Sequence, residues 1–116
     1  MIAVLEEKRD ELSEVCRRFG VCRLEVFGSA SEGDFDPERS DVDFLVEFCP
    51  DTDLGPWLKL YFELQEALAT LLGYPVDLVM TEAPAFENPY FAHEANRTRR
   101  LLYAAEVLGV AAASRE

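Results

Sequence analysis

Basic residues are scarce in this chain. Lysine and arginine together number 11 against 23 aspartates and glutamates, which gives a formal net charge of -12, and Lys8 and Lys59 are its only lysines. A protein that tracks a long nucleic acid obtains its affinity from lysine and arginine paired with phosphates, so this composition argues against such a substrate. A small nucleotide escorted by metal cations remains compatible, because a bound metal inverts the local field.

Cysteine and histidine are also few, with three cysteines and one histidine. Cys16, Cys22 and Cys49 form an odd set without a Cys-x-x-Cys spacing, which argues against a disulfide framework and a structural zinc site and predicts a reducing cytoplasm. The longest apolar runs are interrupted by charge every few residues, so no segment is expected to span a membrane. The N-terminal residues become acidic before a signal-peptide core can form.

The hydrophobic periodicity predicts a single α/β domain over residues 1–116, since a chain of this length has room for one domain. Helical spacing and strand alternation follow one another along the chain, which favours helices packed on a small mixed sheet. We expect about three strands and about four helices. The expected elements are a helix over 3–19, strands at Val21–Phe27, Val42–Phe48 and Val76–Met80, a helix from Pro56 to Leu72, a helix from Asn88-Pro89 to about Ala105, and a frayed tail over 109–116.

Asp41 and Asp43 are the first candidate functional residues. Of the three Asp-x-Asp patterns in the chain, this one opens a predicted strand, where side chains two residues apart point to the same face. The other two patterns lie in polar connections and are interpreted as turns or caps. Two carboxylates directed to one side of a buried strand repel each other unless a cation lies between them. Mg²⁺ is the usual ion, because it binds through carboxylates and substrate phosphates.

Asp77 and the Gly28-Ser29 pair extend this group. Asp77 interrupts the apolar run of the third predicted strand, so its carboxylate needs a partner, a metal ion or a strand end that faces water. Gly28-Ser29 ends the first strand, where a sharp turn can present backbone N–H groups and a hydroxyl to a phosphate. Each feature is weak alone, and together with Asp41 and Asp43 they predict a nucleotide and metal site.

The segment Leu24–Glu47, LEVFGSASEGDFDPERSDVDFLVE, resembles the core signature of the minimal nucleotidyltransferase (MNT) domain of the polymerase-beta-like superfamily. That signature is a Gly-Ser turn, a spacer of about ten residues and an Asp-x-Asp strand. The resemblance extends to VDLVMTEA, which contains Asp77, and to NPYFAHEANRTRRLLYAA near the C-terminus.

The resemblance implies a nucleotidyltransferase fold and a Mg²⁺-dependent reaction. Members transfer a nucleoside monophosphate, commonly AMP, from a triphosphate such as ATP to a hydroxyl, with two metal ions in the superfamily's mechanism. By resemblance, Gly28 and Ser29 hold the triphosphate. Asp41, Asp43 and Asp77 are then the catalytic residues that bind the metal.

The chain departs from the family pattern at Glu32. Many members read Gly-Ser-x-Ala-Arg-Gly, and here Glu32 stands where the basic residue is usual. Its carboxylate is expected to repel a triphosphate if it points into the site. The spacer over 30–40 is also one residue longer than the family pattern, and Arg39 is a candidate replacement cation.

Two functions follow from the resemblance. The first is an enzyme that adds AMP to a partner protein. Stand-alone MNT proteins are usually encoded beside an all-helical HEPN protein, often an RNase toxin, and act as its antitoxin by nucleotidylating a tyrosine. The second is a non-catalytic module that neutralises a HEPN partner by complex formation, and Glu32 favours it. A small-molecule nucleotidyltransferase of the aminoglycoside type is less favoured, because such enzymes carry an additional substrate domain. No membrane or long nucleic-acid partner is expected, and a homo-oligomer is compatible with either function.

Aromatic and basic side chains in the later half of the chain have simpler interpretations. Three aromatic residues at helical spacing are predicted to pack in the core or in a dimer contact: Trp57, Tyr61 and Phe62. Three arginines are interpreted as cations that complement a helix C-terminus, or as a partner-binding patch: Arg97, Arg99 and Arg100.

Overall fold

The computed structural model describes residues 1–32, 36, 38, 40–80 and 88–105. Arg39 and the tail over 109–116, both named above, lie outside these residues. Helices and strands alternate along the chain. In order, the elements are α1 (Ala3–Glu7), α2 (Arg9–Arg18), β1 (Val21–Phe27), α3 (Ser29–Glu32), β2 (Val42–Phe48), a 3-10 turn (Pro56–Leu58), α4 (Lys59–Leu72), β3 (Val76–Met80), α5 (Pro89–Thr98) and β4 (Arg100–Ala104).

The sheet is mixed, with the strand order β3-β2-β1-β4. β1 runs antiparallel to both β2 and β4, whereas β2 and β3 are parallel and α4 lies between them in the chain, as a parallel connection requires. This register places Asp43 beside Phe27 on one side and beside Asp77 on the other. None of the described helices is long and apolar enough to cross a membrane.

One face of the sheet forms the main core with α2 and α4. Alternation along β2 directs Val42, Phe44 and Val46 to this face. They belong to the same buried cluster as Leu64 and Leu68, which lie four residues apart on α4. Full burial of one such side chain contributes roughly 1.5–3 kcal/mol, so this layer fixes the position of the strands.

The opposite face of the sheet is covered in part by α5. Phe27 of β1 and Leu45 of β2 form a second buried cluster with Ala95 of α5. Asp43 lies two residues before Leu45, and side chains two apart in a strand share a face. The carboxylate of Asp43 is therefore on the α5 side of the sheet.

The last helix is shorter than predicted. The helical spacing predicts an end at about Ala105, but α5 ends at Thr98 and residues Arg100–Ala104 form β4. β4 pairs with the edge of β1 that β2 leaves free, which satisfies backbone N–H and C=O groups on both strands. The sheet therefore has a fourth strand, one more than predicted. Leu102 is buried, as expected, but it belongs to this strand and not to a helix.

Cys22 and Cys49 form one disulfide, although the cysteine pattern argues against a disulfide framework. Cys22 lies in β1 and Cys49 follows β2, and the antiparallel pairing of these strands brings their Cα atoms to 4.8 Å. The two cysteines are 27 residues apart in the chain, and the spacing of cysteines alone does not reveal this proximity. Cys16 is free and buried in the main core.

The aromatic residues around the start of α4 lie only in part in the core, and a dimer contact stays a prediction. Trp57 and Phe62 are 93% and 56% exposed, so neither belongs to the core. Trp57 and Leu58 both have left-handed backbone angles, with φ of 55° and 56°, a conformation that costs an L-residue roughly 1–2 kcal/mol. Tyr61 does pack against the main core, and its hydroxyl donates a hydrogen bond to the carbonyl of Leu78.

Candidate active site

The turn after β1 requires glycine. Gly28 has a φ of +74°, in the left-handed region that residues with a β-carbon rarely adopt. A β-carbon at this position would also lie 3.0 Å from Oδ2 of Asp43, which is too close for an ordinary contact. The Asp43 carboxylate therefore lies directly against the Gly28 backbone, and the structure brings two of the predicted site features together.

The carboxyl group of Asp43, beside the Gly28 turn, has a raised pKa. It is half-buried, whereas Asp41 and Asp77 are exposed. Burial and the negative charges of Asp77 and Asp41 raise the pKa of Asp43 from its ordinary 3.8 to about 6. The three aspartates are thus close enough to repel one another, and a bound cation relieves such repulsion.

Asp77 reaches the site from an exposed position on the neighbouring strand. It faces Asp43 across the parallel pairing of β2 and β3, and β3 is an edge strand. Its side chain is exposed to water, where it remains accessible to a metal ion. Burial and the charge of Asp77 together raise the pKa of Tyr61, so the carboxylate also acts on the hydroxyl of a residue on α4.

The donor set at this position suits a hard cation. No group of three or more Asp, Glu, His or Cys side chains among the described residues is arranged to hold a metal ion by itself. Mg²⁺ rarely uses such an all-protein cage and commonly binds through one or two carboxylates together with substrate phosphates. Carboxylate oxygens without imidazole or thiolate favour Mg²⁺ over zinc. The aspartates therefore fit an ion whose coordination a nucleotide completes.

The C-terminal end of α5 is hydrogen-bonded to the Gly28 turn. The backbone N–H of Gly28 donates to Oγ1 of Thr98 at 2.8 Å, and the hydroxyl of Ser31 donates to the carbonyl of Thr98. Nε of Arg100 donates to the hydroxyl of Ser31 at 3.2 Å. A phosphate at this turn could use the N–H of Gly28 only by displacing Thr98, so Ser29 is the better placed of the two predicted contacts.

A pocket of about 260 Å³ opens beside this turn. Its lining includes both residues predicted to hold a triphosphate, Gly28 and Ser29, together with Glu32, Arg97 and Thr98. Thr98 has no predicted role at the site, since a threonine within a charged helical segment does not by itself indicate one.

Glu32 does not present an unpaired charge to the pocket. Its Oε2 accepts a hydrogen bond from Nη1 of Arg97 at 2.7 Å, and Nε of Arg97 donates to Oε2 of Glu94 at 3.0 Å. The basic residue that the Gly-Ser turn lacks in sequence is therefore close to it in space, on α5. Glu32 and Arg97 are 65 residues apart, so the sequence could not reveal the pair.

Each of the three C-terminal arginines has a specific partner, and Arg97 also lies in the last turn of α5, where a cation complements the helix dipole. Arg97 pairs with Glu32 and Glu94, and Arg100 with the hydroxyl of Ser31. Arg99 donates two hydrogen bonds to the carboxylate of Glu25, which is 5% exposed and is also paired with Arg23. These contacts hold α5 and β4 against β1 and the Gly28 turn.

The chain matches the nucleotidyltransferase domain family over residues 9–103. Protein adenylyltransferase MntA of Thermococcus cleftensis is 45% identical over 78 residues, which cover 67% of this chain and 71% of that protein. A solved structure assigned to a minimal nucleotidyltransferase is 32% identical, with a TM-score of 0.63 over 83% of this chain and 90% of that one.

A more distant structural likeness involves a tri-AMPylated HEPN toxin of Shewanella oneidensis in complex with an MNT antitoxin. A chain of that complex is 19% identical, with a TM-score of 0.58 over 88% of this chain and 74% of that one, which shows the fold alone. The family match, by contrast, spans most of the sequence and includes the Gly-Ser turn and all three aspartates. This chain therefore belongs to the nucleotidyltransferase domain family and is an enzyme of the minimal nucleotidyltransferase type.

Proposed function

We propose that this protein transfers AMP from ATP, with Mg²⁺, to a hydroxyl of a HEPN partner and thereby acts as the antitoxin of that partner. The observation that carries the proposal is the half-buried carboxylate of Asp43. It lies against the Gly28 turn, and its pKa is raised to about 6 by burial and by the charges of Asp77 and Asp41. A carboxylate held in this way next to a phosphate-binding type of turn is suited to bind a cation and a nucleotide together.

The reaction is a displacement at phosphorus. The hydroxyl oxygen of the acceptor forms a bond to the α-phosphorus of ATP, and the bond from that phosphorus to the bridging oxygen of pyrophosphate breaks. Pyrophosphate leaves with the electron pair, and the hydroxyl proton is released. Gly28 and Ser29 would hold the triphosphate, which keeps the leaving group in line with the attacking oxygen.

Asp41, Asp43 and Asp77 would hold two Mg²⁺ ions. Bound there, the metal supplies positive charge to the phosphates and lowers the pKa of the attacking hydroxyl. The aspartates must be ionised to act as ligands. We therefore assign all three as catalytic residues.

The acceptor is proposed to come from another protein. Asp41 and Asp77 are exposed, so a partner that presents a hydroxyl can reach the aspartates directly. The net charge of -12 favours a basic, RNA-handling partner. The similar protein of Thermococcus cleftensis is named a protein adenylyltransferase, and a HEPN toxin is AMPylated in the Shewanella oneidensis complex. We place the modification on a tyrosine of the partner, and the reaction in the cytoplasm, where ATP is available.

The alternative is a non-catalytic module that neutralises the partner by binding it. Glu32 motivated this reading, because a carboxylate at the turn repels phosphates. The ion pair with Arg97 reduces the negative charge that Glu32 presents to the pocket, so this objection to catalysis is weaker in the folded protein than in the sequence.

Intact-mass spectrometry separates the two functions. The protein is incubated with its HEPN partner, ATP and Mg²⁺, and we expect the partner to gain the mass of one or more AMP groups. Asp43→Asn should stop the modification while the complex still forms, because the amide keeps the shape of the side chain and removes a metal ligand. Chelation of Mg²⁺ should have the same effect.

Asp51→Asn is the matched control, since Asp51 belongs to another Asp-x-Asp pattern and is exposed outside the site. It should leave the modification unchanged. A partner that is bound and inhibited but never gains mass would favour the binding module over the enzyme.

A further inference from the structure

We infer that Arg97 binds the phosphate tail of the nucleotide, and that Glu32 competes with the phosphate for its guanidinium. This inference rests on the proposed function, because it assigns a phosphate contact within the same nucleotide site. Arg97 lies on α5, outside both the Gly-Ser turn and the three aspartates, and supplies the cation that the turn lacks.

The position of Arg97 is fixed by its neighbour in the chain. The hydroxyl of Thr98 accepts a hydrogen bond from the N–H of Gly28, and the carbonyl of Thr98 accepts one from the hydroxyl of Ser31. Thr98 is 6% exposed and Ser31 is 1% exposed, so these hydrogen bonds are sheltered from water. The residue before Thr98 is therefore held at the edge of the pocket that Gly28 and Ser29 line.

The guanidinium of Arg97 keeps donors for a ligand. A guanidinium carries several N–H donors in a planar fork. The contacts with Glu32 and Glu94 engage Nη1 and Nε, and among the described residues the Nη2 group has no partner. Because the fork matches phosphate oxygens in a bidentate manner, Nη2 and Nη1 are suited to a phosphate that enters the pocket.

The contact between Arg97 and Glu32 is exchangeable. Both side chains reach solvent, with exposed fractions of 51% and 36%, and ion pairs at such positions contribute little to stability. A triphosphate carries more charge than one carboxylate, so it should draw the guanidinium away from Glu32. The ion pair must break before Arg97 binds the phosphate, which predicts that Glu32 weakens nucleotide binding in this protein.

Calorimetric titration with ATP and Mg²⁺, and separately with AMP, tests the role of Arg97. We expect Arg97→Gln to weaken ATP binding roughly tenfold or more, the loss of one charge-assisted contact, and to change AMP binding much less. Arg97→Lys should recover part of the ATP affinity, because it keeps the charge and loses the fork. Arg17→Gln removes an equally exposed arginine whose partner is Glu14 on α2, and it should change neither affinity.

Equal ATP affinity for Arg97→Gln and the unaltered protein would overturn the inference while the proposed function stands. An unaltered protein that neither binds ATP with Mg²⁺ nor modifies its partner would instead remove the proposed function. Since Arg97 is half exposed, loss of the fold is not expected, and a thermal unfolding curve for each variant checks this.

A double-mutant cycle tests the competition. Glu32→Gln should tighten ATP binding about two- to fivefold in the unaltered background, as expected for loss of one exposed ion pair, and much less in Arg97→Gln, because the two residues act on the phosphate through that pair. An equal gain in both backgrounds would mean that Glu32 acts on the phosphate directly. That result would reject the competition for Arg97.

Discussion

Oδ2 of Asp43 lies 3.0 Å from the position that a β-carbon on Gly28 would take. The contact joins the end of β1 to the beginning of β2, which are paired in antiparallel fashion through Phe27 and Asp43. It means that the turn proposed to hold phosphate and a carboxylate proposed to hold metal are adjacent in the folded chain. Any side chain at position 28 would change both.

Gly28→Ala should therefore impair both stability and activity. The left-handed φ of +74° costs an alanine roughly 1–2 kcal/mol, and its methyl group must push the Asp43 carboxylate from its place. We expect a lower melting temperature and loss of AMP transfer to the partner.

Gly73→Ala is the control for this variant. Gly73 has a similar φ of +78°, and no atom of the described residues lies within 4 Å of the position of its β-carbon. Gly73→Ala should lower the melting temperature through its backbone strain, with little change in AMP transfer to the partner. If the two variants lost activity equally, the contact between Gly28 and Asp43 would have no special role.

The raised pKa of Asp43 predicts an unusual dependence of stability on pH. The folded metal-free protein keeps a proton on Asp43 up to about pH 6, whereas the ordinary pKa is 3.8. Between these values the native state binds more protons, so this residue makes the free energy of unfolding fall as pH rises. Asp43→Asn removes the effect.

Urea unfolding of the metal-free protein at pH 4 and pH 7 measures this dependence of stability on pH. At pH 7 we expect the free energy of unfolding of Asp43→Asn to exceed that of the unaltered protein by about 1–2 kcal/mol, after a reduction for solvent screening. At pH 4 the two free energies of unfolding should be about equal. Addition of Mg²⁺ and ATP at pH 7 should stabilise only the unaltered protein, by mass action. A constant difference across this pH range would contradict the electrostatic account of the site.

Local patterns predicted the strands that carry the site. Val21–Phe27, Val42–Phe48 and Val76–Met80 coincide with β1, β2 and β3, because the first two alternate with a period of two and the third is a short run with β-branched residues. The same alternation predicts that Asp43 shares a face with Leu45. The pairing of Asp43 with Asp77 depends on β2 and β3 being parallel neighbours, which local periodicity does not specify.

Contacts between distant residues were beyond the reach of the sequence. Glu32 looked like an obstacle to phosphate because its partner Arg97 is remote in the chain. The helix predicted to reach Ala105 failed for a related reason: the apolar spacing there suits a helix, and the free edge of β1 provides hydrogen bonds that favour a strand. Local preference gave way to a tertiary interaction.

The disulfide between Cys22 and Cys49 can be tested by counting thiols. We expect Ellman's reagent to find one thiol per chain in denaturant, that of Cys16, and almost none in the native protein. Burial explains the native result, since it raises the pKa of Cys16 to about 12 and keeps the thiol protonated.

Cys22→Ser should lower the free energy of unfolding by about 3 kcal/mol, because the bond closes a long loop in the unfolded chain. Chemical reduction of the unaltered protein, which breaks the bond without a change of side chain, should give a similar loss. Three thiols in the denatured protein as purified from a reducing cytoplasm would mean that the two cysteines are only neighbours there.

Glu25 is the buried charge on which the packing of β4 and α5 against β1 depends. Burial alone would raise its pKa, but hydrogen bonds from Arg99 and Arg23 outweigh this effect and hold the pKa below its ordinary 4.5. The ionised form is therefore stabilised in the folded state. The stability that Glu25 contributes is present above about pH 4.5 and is lost as pH falls through the lowered value.

Glu25→Gln should lower the free energy of unfolding by about 2 kcal/mol at pH 7. This loss is smaller than for a fully buried ion pair, because Arg99 and Arg23 reach solvent. The difference should shrink in acid, where the glutamate of the unaltered protein becomes protonated. Glu14→Gln, which breaks the exposed pair with Arg17, should be nearly neutral at both pH values. Urea unfolding of the three proteins at pH 3.5 and pH 7 gives the comparison. A loss for Glu25→Gln that is equally large in acid would mean that the side chain acts through its shape and not through its charge.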